Sequence, residues 1–209
     1  MSAPLPPLPP APAVDDNDVI PGGRNMVDIL VDDHHQISAL CDRLRESLAD
    51  ASAASAIAEV LVAMLSRHLS VEEQYLYPTA RSVLRDGEHL AAQELAEDAE
   101  MLLTLKQLHG SAPDDPAYAT LVATVSRQHR RHAMRASEEI FPRLRARCSE
   151  NELIRLGNRV EIAHEAAPTR PHPATPVTPP VNKVLDPAVG VVDKVRDIIA
   201  GRTTWPEDL

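Results

Sequence analysis

Proline divides this chain more sharply than any other residue. Of 19 prolines in 209 residues, seven fall before residue 22 and eight after residue 167. Between them lie Pro78, Pro113, Pro116 and Pro142 alone. Proline donates no backbone hydrogen bond and its ring clashes with the preceding helical turn, so long helices belong in the stretch almost free of it. Three regions follow. Residues 1–24 are a Pro-rich segment with too little apolar content to offset the entropy of ordering. Residues 25–167 form the folded domain, and residues 168–209 an extended Pro-rich strap leading into a short amphipathic helix. In that helix, from about Pro187 to Gly201, Val191, Val192, Val195, Ile198 and Ile199 share one face.

The central region reads as helix throughout, with no alternating strand pattern. Apolar spacing predicts a first helix from about Met26 to Ser47 and a second from about Ser55 to Leu84, kinked at Pro78. A turn at Gly87 leads to a third helix ending at Gly110. Asp115 as N-cap and Pro116 as first helical residue open a fourth, which crosses Pro142 and reaches about Arg147. Ser149 and Glu152 have capping-box spacing and start a fifth helix to about Ala167. Long helices on short connections predict an all-α fold: an up-down-up-down four-helix bundle with a short fifth helix and Pro-rich tails.

Charge and cysteine content narrow the function classes. A net charge of -10 and a pI near 5.3 argue against a nucleic-acid partner, which requires a basic face. No uninterrupted apolar run approaches the ~20 residues of a membrane span, and the N-terminus lacks the basic and apolar parts of a signal peptide. Cys41 and Cys148 make neither a disulfide framework nor a zinc spacing. The expectation is a reduced, cytoplasmic setting with no membrane contact.

The stretch HLSVEEQYLYP, residues 68–78, places His68 and Glu72 one turn apart beside the apolar stripe of Leu61, Leu65 and Leu69. A repeat gives that pair a context. Pro78 and Pro142 are 64 residues apart, with YLYP matching EIFP, and the same offset relates His68 to His132 and His34 to Asp98. Ile37 matches Met101, Cys41 matches Leu105 and Leu44 matches Leu108, whereas Glu72 meets Ala136. Two hairpins related in this way bring His34, His68 and Glu72 beside Asp98 and His132. A divalent cation makes burial of neutral imidazole and ionised carboxylate favourable, and such donors without sulfur suit iron, zinc or manganese. A lone His-x-x-x-Glu pair is more often a surface salt bridge or a hydrogen-bonded cap; the joint placement of His34, His68 and His132 favours metal. His35, His89, His109, His129 and Glu73 are expected at the surface, His129 being notable for lying one turn before His132. Cys41 is expected in the core, and His172 is assigned no role.

These motifs resemble a known family. DHHQI, HLSVEEQYLYP and HAMRASEEIFP look like the first, second and fourth helix motifs of the hemerythrin-like, or HHE cation-binding, domain, over roughly residues 26–148. The Pro-rich strap and helix also look like the tail of many actinobacterial members. The resemblance implies two non-haem irons held by His and bridging carboxylates, and binding, sensing or detoxification of oxygen, peroxide or nitric oxide. By position, His34 matches the first-helix ligand, His68 and Glu72 the second-helix pair, and His132 the fourth-helix His. Two positions depart: Asp98 stands where the family has a third-helix His, and Ala136 where it has a carboxylate. Glu139, about 10 Å along the axis from His132, is too far to replace it. The implied metal ligands are thus His34, His68, Glu72, Asp98 and His132, the cofactor is iron as a pair or a single ion, and the partner is a small oxidant. The rival function is a metal-depleted interaction or sensor module without redox chemistry. A ferritin-like oxidase carries Glu-x-x-His on two helices; here that spacing occurs at Glu161 and His164, outside the repeat.

Overall fold

Asn25 starts the first helix, its side chain accepting from the Asp28 amide; α1 spans Met26–Glu46. The computed structural model describes residues 21–167, 169–171, 204–206 and 209. The expected tail helix at Pro187–Gly201 and residues 1–20 lie outside these. The second helix, α2, spans Ala51–Val71 and begins earlier than the apolar spacing predicts. Asp50 decides its start, accepting from the amides of Ser52 and Ala53. A cap satisfies orphan N–H groups whether or not an apolar face has begun.

The rod continues through a single π turn, Glu72–Leu76, into α3, Tyr77–Val83. After a short turn come α4, Gly87–His109, and α5, Tyr118–Arg135. A second π turn, Ala136–Ile140, joins α5 to α6, Phe141–Arg147, and α7 spans Glu150–Ala166 behind the expected capping box of Ser149 and Glu152. The fourth long helix therefore starts at Tyr118 rather than at Pro116. Asp115 accepts from the Ala117 amide with its side chain and from the Tyr118 amide with its carbonyl, closing a turn ahead of the helix.

The two π turns share the 64-residue offset of the sequence repeat. In each, the residue before proline bonds five residues back, Tyr77 N–H to Glu72 O and Phe141 N–H to Ala136 O. Proline cannot donate to the carbonyl four residues earlier and clashes with it; a widened turn relieves both problems without breaking the rod. The insertion brings Tyr77 beneath Glu72, five residues away, so that their side chains meet.

α1 packs against α2 and α5, α4 packs against α3 and α5, and α7 lies along α1. The apolar core falls into two parts. One gathers Met26, Leu30, Tyr77, Phe141, Leu144 and Val160; the other gathers Ile37, Leu44, Leu61, Leu65, Leu105 and Val125. On each helix of the bundle the buried polar residues sit between these parts: His34, His68 with Glu72, Asp98, and His132. The Ala51–Val83 rod is long and apolar enough to cross a membrane, but 78% of its apolar window is buried inside the fold, as in a core helix.

α7 approaches the start of α1 closely enough to need glycine. A Cβ on Gly157 would lie 2.0 Å from the Arg24 carbonyl oxygen. Asn25 donates to Glu150 across the same contact. Thr204 and Trp205 return to the bundle at α2: Arg67 Nη1 donates to the Thr204 carbonyl at 2.9 Å, and its guanidinium carbon sits 3.9 Å from the Trp205 ring centroid.

Candidate metal centre

His34 on α1, His68 at the end of α2, Glu72 at the first π turn and His132 on α5 converge at the centre of the bundle. One ligand atom from each lies within 4.8 Å of all the others, and all four residues are buried. His132 Nε2 is 3.0 Å from Glu72 Oε2. His68 Nε2 is 3.4 Å from both Glu72 Oε1 and His132 Nε2, and His34 Nε2 is 3.8 Å from Glu72 Oε1. Ligands about 2.1 Å from a tetrahedral ion stand roughly 3.4 Å apart, so the spacing suits a single cation.

The buried polar atoms make the same case. Both nitrogens of His34 and Oε1 of Glu72 have no hydrogen-bond partner. Stranding such atoms costs about 1–3 kcal/mol each, a penalty that a metal bond removes for Glu72 Oε1 and for one nitrogen of His34. The donor set of three imidazoles and one carboxylate therefore fits a borderline divalent ion.

Electrostatics divide the cluster into a neutral part and a charged part. Burial, reinforced by the neighbouring imidazoles of His68 and His132, drives the His34 pKa well below its ordinary value, leaving neutral imidazole. Burial opposes charge on His132, but Glu72 outweighs it and, with the Asp98 and Glu94 carboxyl groups close to Nδ1, lifts its pKa well above the usual range. Burial likewise opposes ionisation of Glu72, and the His132 and His68 imidazoles overcome it, holding the carboxyl below its usual pKa. Without metal, His132 and Glu72 form a buried ion pair.

Outer partners aim the rings. Asp33 Oδ2 lies 3.2 Å from His68 Nδ1, leaving Nε2 to face inward. His164 of α7 approaches the same Asp33 oxygen at 3.1 Å. Asp98 Oδ1 stands 3.4 Å from His132 Nδ1, an ion-pair contact rather than a hydrogen bond, and Glu94 Oε2 stands 3.7 Å from it. Carboxylate partners on the outer nitrogen fix tautomer and ring direction in metal-binding histidines.

The structure thus joins four of the five expected ligands and sets Asp98 beside them, behind His132. Burial raises the Asp98 pKa, and its Oδ2 accepts from the Tyr77 hydroxyl at 2.5 Å. His129 is not at the surface as expected: it is 1% exposed. Its Nε2 lies 3.1 Å from the His34 carbonyl oxygen and 3.2 Å from Ser38 Oγ, so it holds the α1 backbone rather than joining the cluster. Glu73, also expected in solvent, is buried. Cys41 is in the core, and His35 and His89 are exposed, as expected. His109 is half-buried beside Glu59, and His172 lies outside the described residues.

Sequence reasoning did not assign Asp33, Tyr77, Glu94, Arg135 or His164 to the site. A signal existed for two of them: Glu94 is one helical turn from Asp98 on the same face, and Tyr77 sits in the repeated aromatic-Pro motif.

The profile of the Hemerythrin HHE cation binding domain matches residues 25–144. The chain belongs to this hemerythrin family. An uncharacterised hemerythrin-like protein of Schizosaccharomyces pombe is 22% identical over 180 residues, covering 86% of this chain and 87% of that one. No solved structure matches the chain. The matched stretch ends before α7, yet this hemerythrin-family site draws on α7 through His164, which braces the Asp33 carboxylate behind His68.

Proposed function

We propose that this hemerythrin-family chain binds a transition-metal cation, iron foremost, through His34, His68, Glu72 and His132, and uses it to bind, sense or detoxify a small oxidant such as oxygen, peroxide or nitric oxide. The observation that carries this reading is the convergence of three imidazoles and one carboxylate, one ligand atom from each within 4.8 Å of the rest, in a buried setting. Bound iron supplies open coordination positions and an accessible change of oxidation state. The protein supplies the rest. Asp33 and Asp98 hold His68 and His132 so that Nε2 of each faces the centre. Tyr77 also donates to Glu72 Oε2 at 3.1 Å and steadies the carboxylate. Leu65, Leu69, Leu30 and Phe141, all buried, keep bulk water away.

A small ligand has a route in. A groove of about 260 Å³ between α1 and α5 is lined by Val31, His34, Ser38, Arg130, Ala133 and Ser137, and so reaches from the surface to a residue of the cluster. Arg130 gives it a positive rim that favours anionic or polarisable ligands over cations. A reducing, cytoplasmic setting belongs to the proposal and is supported by the two free cysteines, Cys41 and Cys148.

Elemental analysis of protein produced with iron, followed by visible absorption before and after peroxide, tests the proposal. Bound iron with a ligand-to-metal band that peroxide alters is expected. Protein that stays metal-free in the presence of iron, zinc and manganese overturns it and leaves a helical interaction module.

A further inference from the structure

Pseudo-symmetry allows the two halves of the centre to be compared residue by residue. His68 of the first half corresponds to His132 of the second, His34 to Asp98, and Glu72 to Ala136. The positions around them have changed together. Leu30 and Val71, both fully buried in the apolar core, correspond to Glu94 and Arg135. Glu94 is 1% exposed, and its Oε1 pairs with Arg135 Nε at 2.9 Å. Arg135 also pairs with Glu97. Phe141 stacks on His34 with ring centroids 5.7 Å apart, whereas its counterpart Tyr77 gives a hydroxyl to Asp98. Where the first half has a ring against a ring, the second has a phenol against a carboxylate.

The directions of these groups matter more than their number. The two nitrogens of an imidazole point to opposite sides of the ring. His132 turns Nε2 toward Glu72, at 3.0 Å, and Nδ1 toward Asp98 and Glu94, at 3.4 and 3.7 Å. Both carboxylates therefore lie behind the ring, on the side away from His34 and His68. Asp98 Oδ2 already accepts from Tyr77, and Glu94 Oε1 is ion-paired with Arg135 Nε without a hydrogen bond.

We infer that the second half of the centre is closed to metal by a cation of the protein itself: Arg135, paired with Glu94, supplies positive charge behind His132, and Asp98 is a positioning residue rather than a ligand. Each chain then holds one ion, not two. A guanidinium offsets carboxylate charge as a metal would, so the exchange keeps the local charge balanced while removing an open coordination site. Ala136 completes the closure, because its methyl group, 1% exposed, stands where a bridging carboxylate would be needed. This inference rests on the proposed metal-binding reading, and metal content separates the failure of one from the failure of the other.

The test is iron per chain by elemental analysis, joined to electron paramagnetic resonance of the oxidised full-length protein. One iron per chain with the signal of an isolated high-spin ferric ion is expected. Two irons per chain in a coupled, resonance-silent pair overturn the inference and leave the metal-binding proposal standing; no metal removes both. Asp98→Asn tests positioning. It is expected to keep one zinc per chain, weaken affinity on the order of 10–100-fold, and shift the His132 Nδ1–H resonance of the zinc-loaded protein. A drop in zinc per chain with His132 Nδ1–H unmoved identifies Asp98 as a ligand and overturns that part. Arg135→Gln tests closure: calorimetric titration with zinc is expected to show a second, weaker site that the wild type lacks. A folded Arg135→Gln protein that still stops at one zinc excludes Arg135 as the barrier.

Discussion

The Tyr77 hydroxyl lies 2.5 Å from Asp98 Oδ2 and 3.1 Å from Glu72 Oε2, tying the π turn after α2 to the centre of α4. Burial raises the Tyr77 pKa well above its ordinary value, and the Asp98 and Glu72 carboxylates raise it further, so it remains a phenol that donates. Tyr77→Phe removes one donor from two fully buried carboxylates. It is expected to destabilise the metal-free protein by about 1–3 kcal/mol, measured by urea denaturation. A midpoint unchanged from the wild type would show that the contact contributes nothing.

Removal of a ligand should couple metal content to stability. His34→Ala and His68→Ala are each expected to lower bound metal by at least half and to lose the extra thermal stability that metal confers. A ligand at 100 times its Kd adds about 2.7 kcal/mol to a fold it binds selectively. Melting curves with and without iron check this; variants that still gain full metal stabilisation would remove these residues from the ligand set.

The α1–α5 groove offers a kinetic prediction. Ala133 and Ser137 line it without belonging to the cluster. Ser137→Trp should fill much of its volume and slow the reaction of the iron-loaded protein with peroxide, with equilibrium metal content unchanged. Stopped-flow rates equal to those of the wild type would place the entry elsewhere.

Trp205 is the one tryptophan of the chain, so its fluorescence reports on tail docking without labelling. It stacks on Arg67, which is 3% exposed and adjacent to His68. Arg67→Ala should shift its emission to longer wavelength and raise its quenching by iodide. Spectra identical to the wild type would mean that this contact does not hold the tail in solution.

Burial pushes the Cys41 thiol up to about 11 from an ordinary value of 9.0. Between these values the unfolded chain releases a proton that the folded chain keeps, so stability falls as pH rises above 9 and levels off beyond the folded value. Cys41→Ala should flatten that alkaline decline relative to the wild type. At pH 8, iodoacetamide should label half-buried Cys148 first; equal labelling of Cys41 in the folded protein would contradict its burial.

The sequence by itself determined the helical domain, its 64-residue repeat and the spacing that puts His34, His68, Glu72 and His132 on inward faces. It could do so because helical periodicity and proline placement are local: each depends on residues within a turn or two. It also announced the capping box at Ser149 and Glu152, a contact three residues long. Tertiary structure alone decided what those local rules leave open. Periodicity marked Asp98 as inward-facing but not which side of His132 it would meet, since that depends on how α4 and α5 are set against each other. His129, expected at the surface, is buried where α5 packs on α1, and its Nε2 meets the His34 carbonyl oxygen. The π turns were legible as prolines, but their effect was not. One extra residue per turn shifts the register of every side chain that follows, and only the packed bundle shows that the shift carries Tyr77 beneath Glu72 and Phe141 against His34.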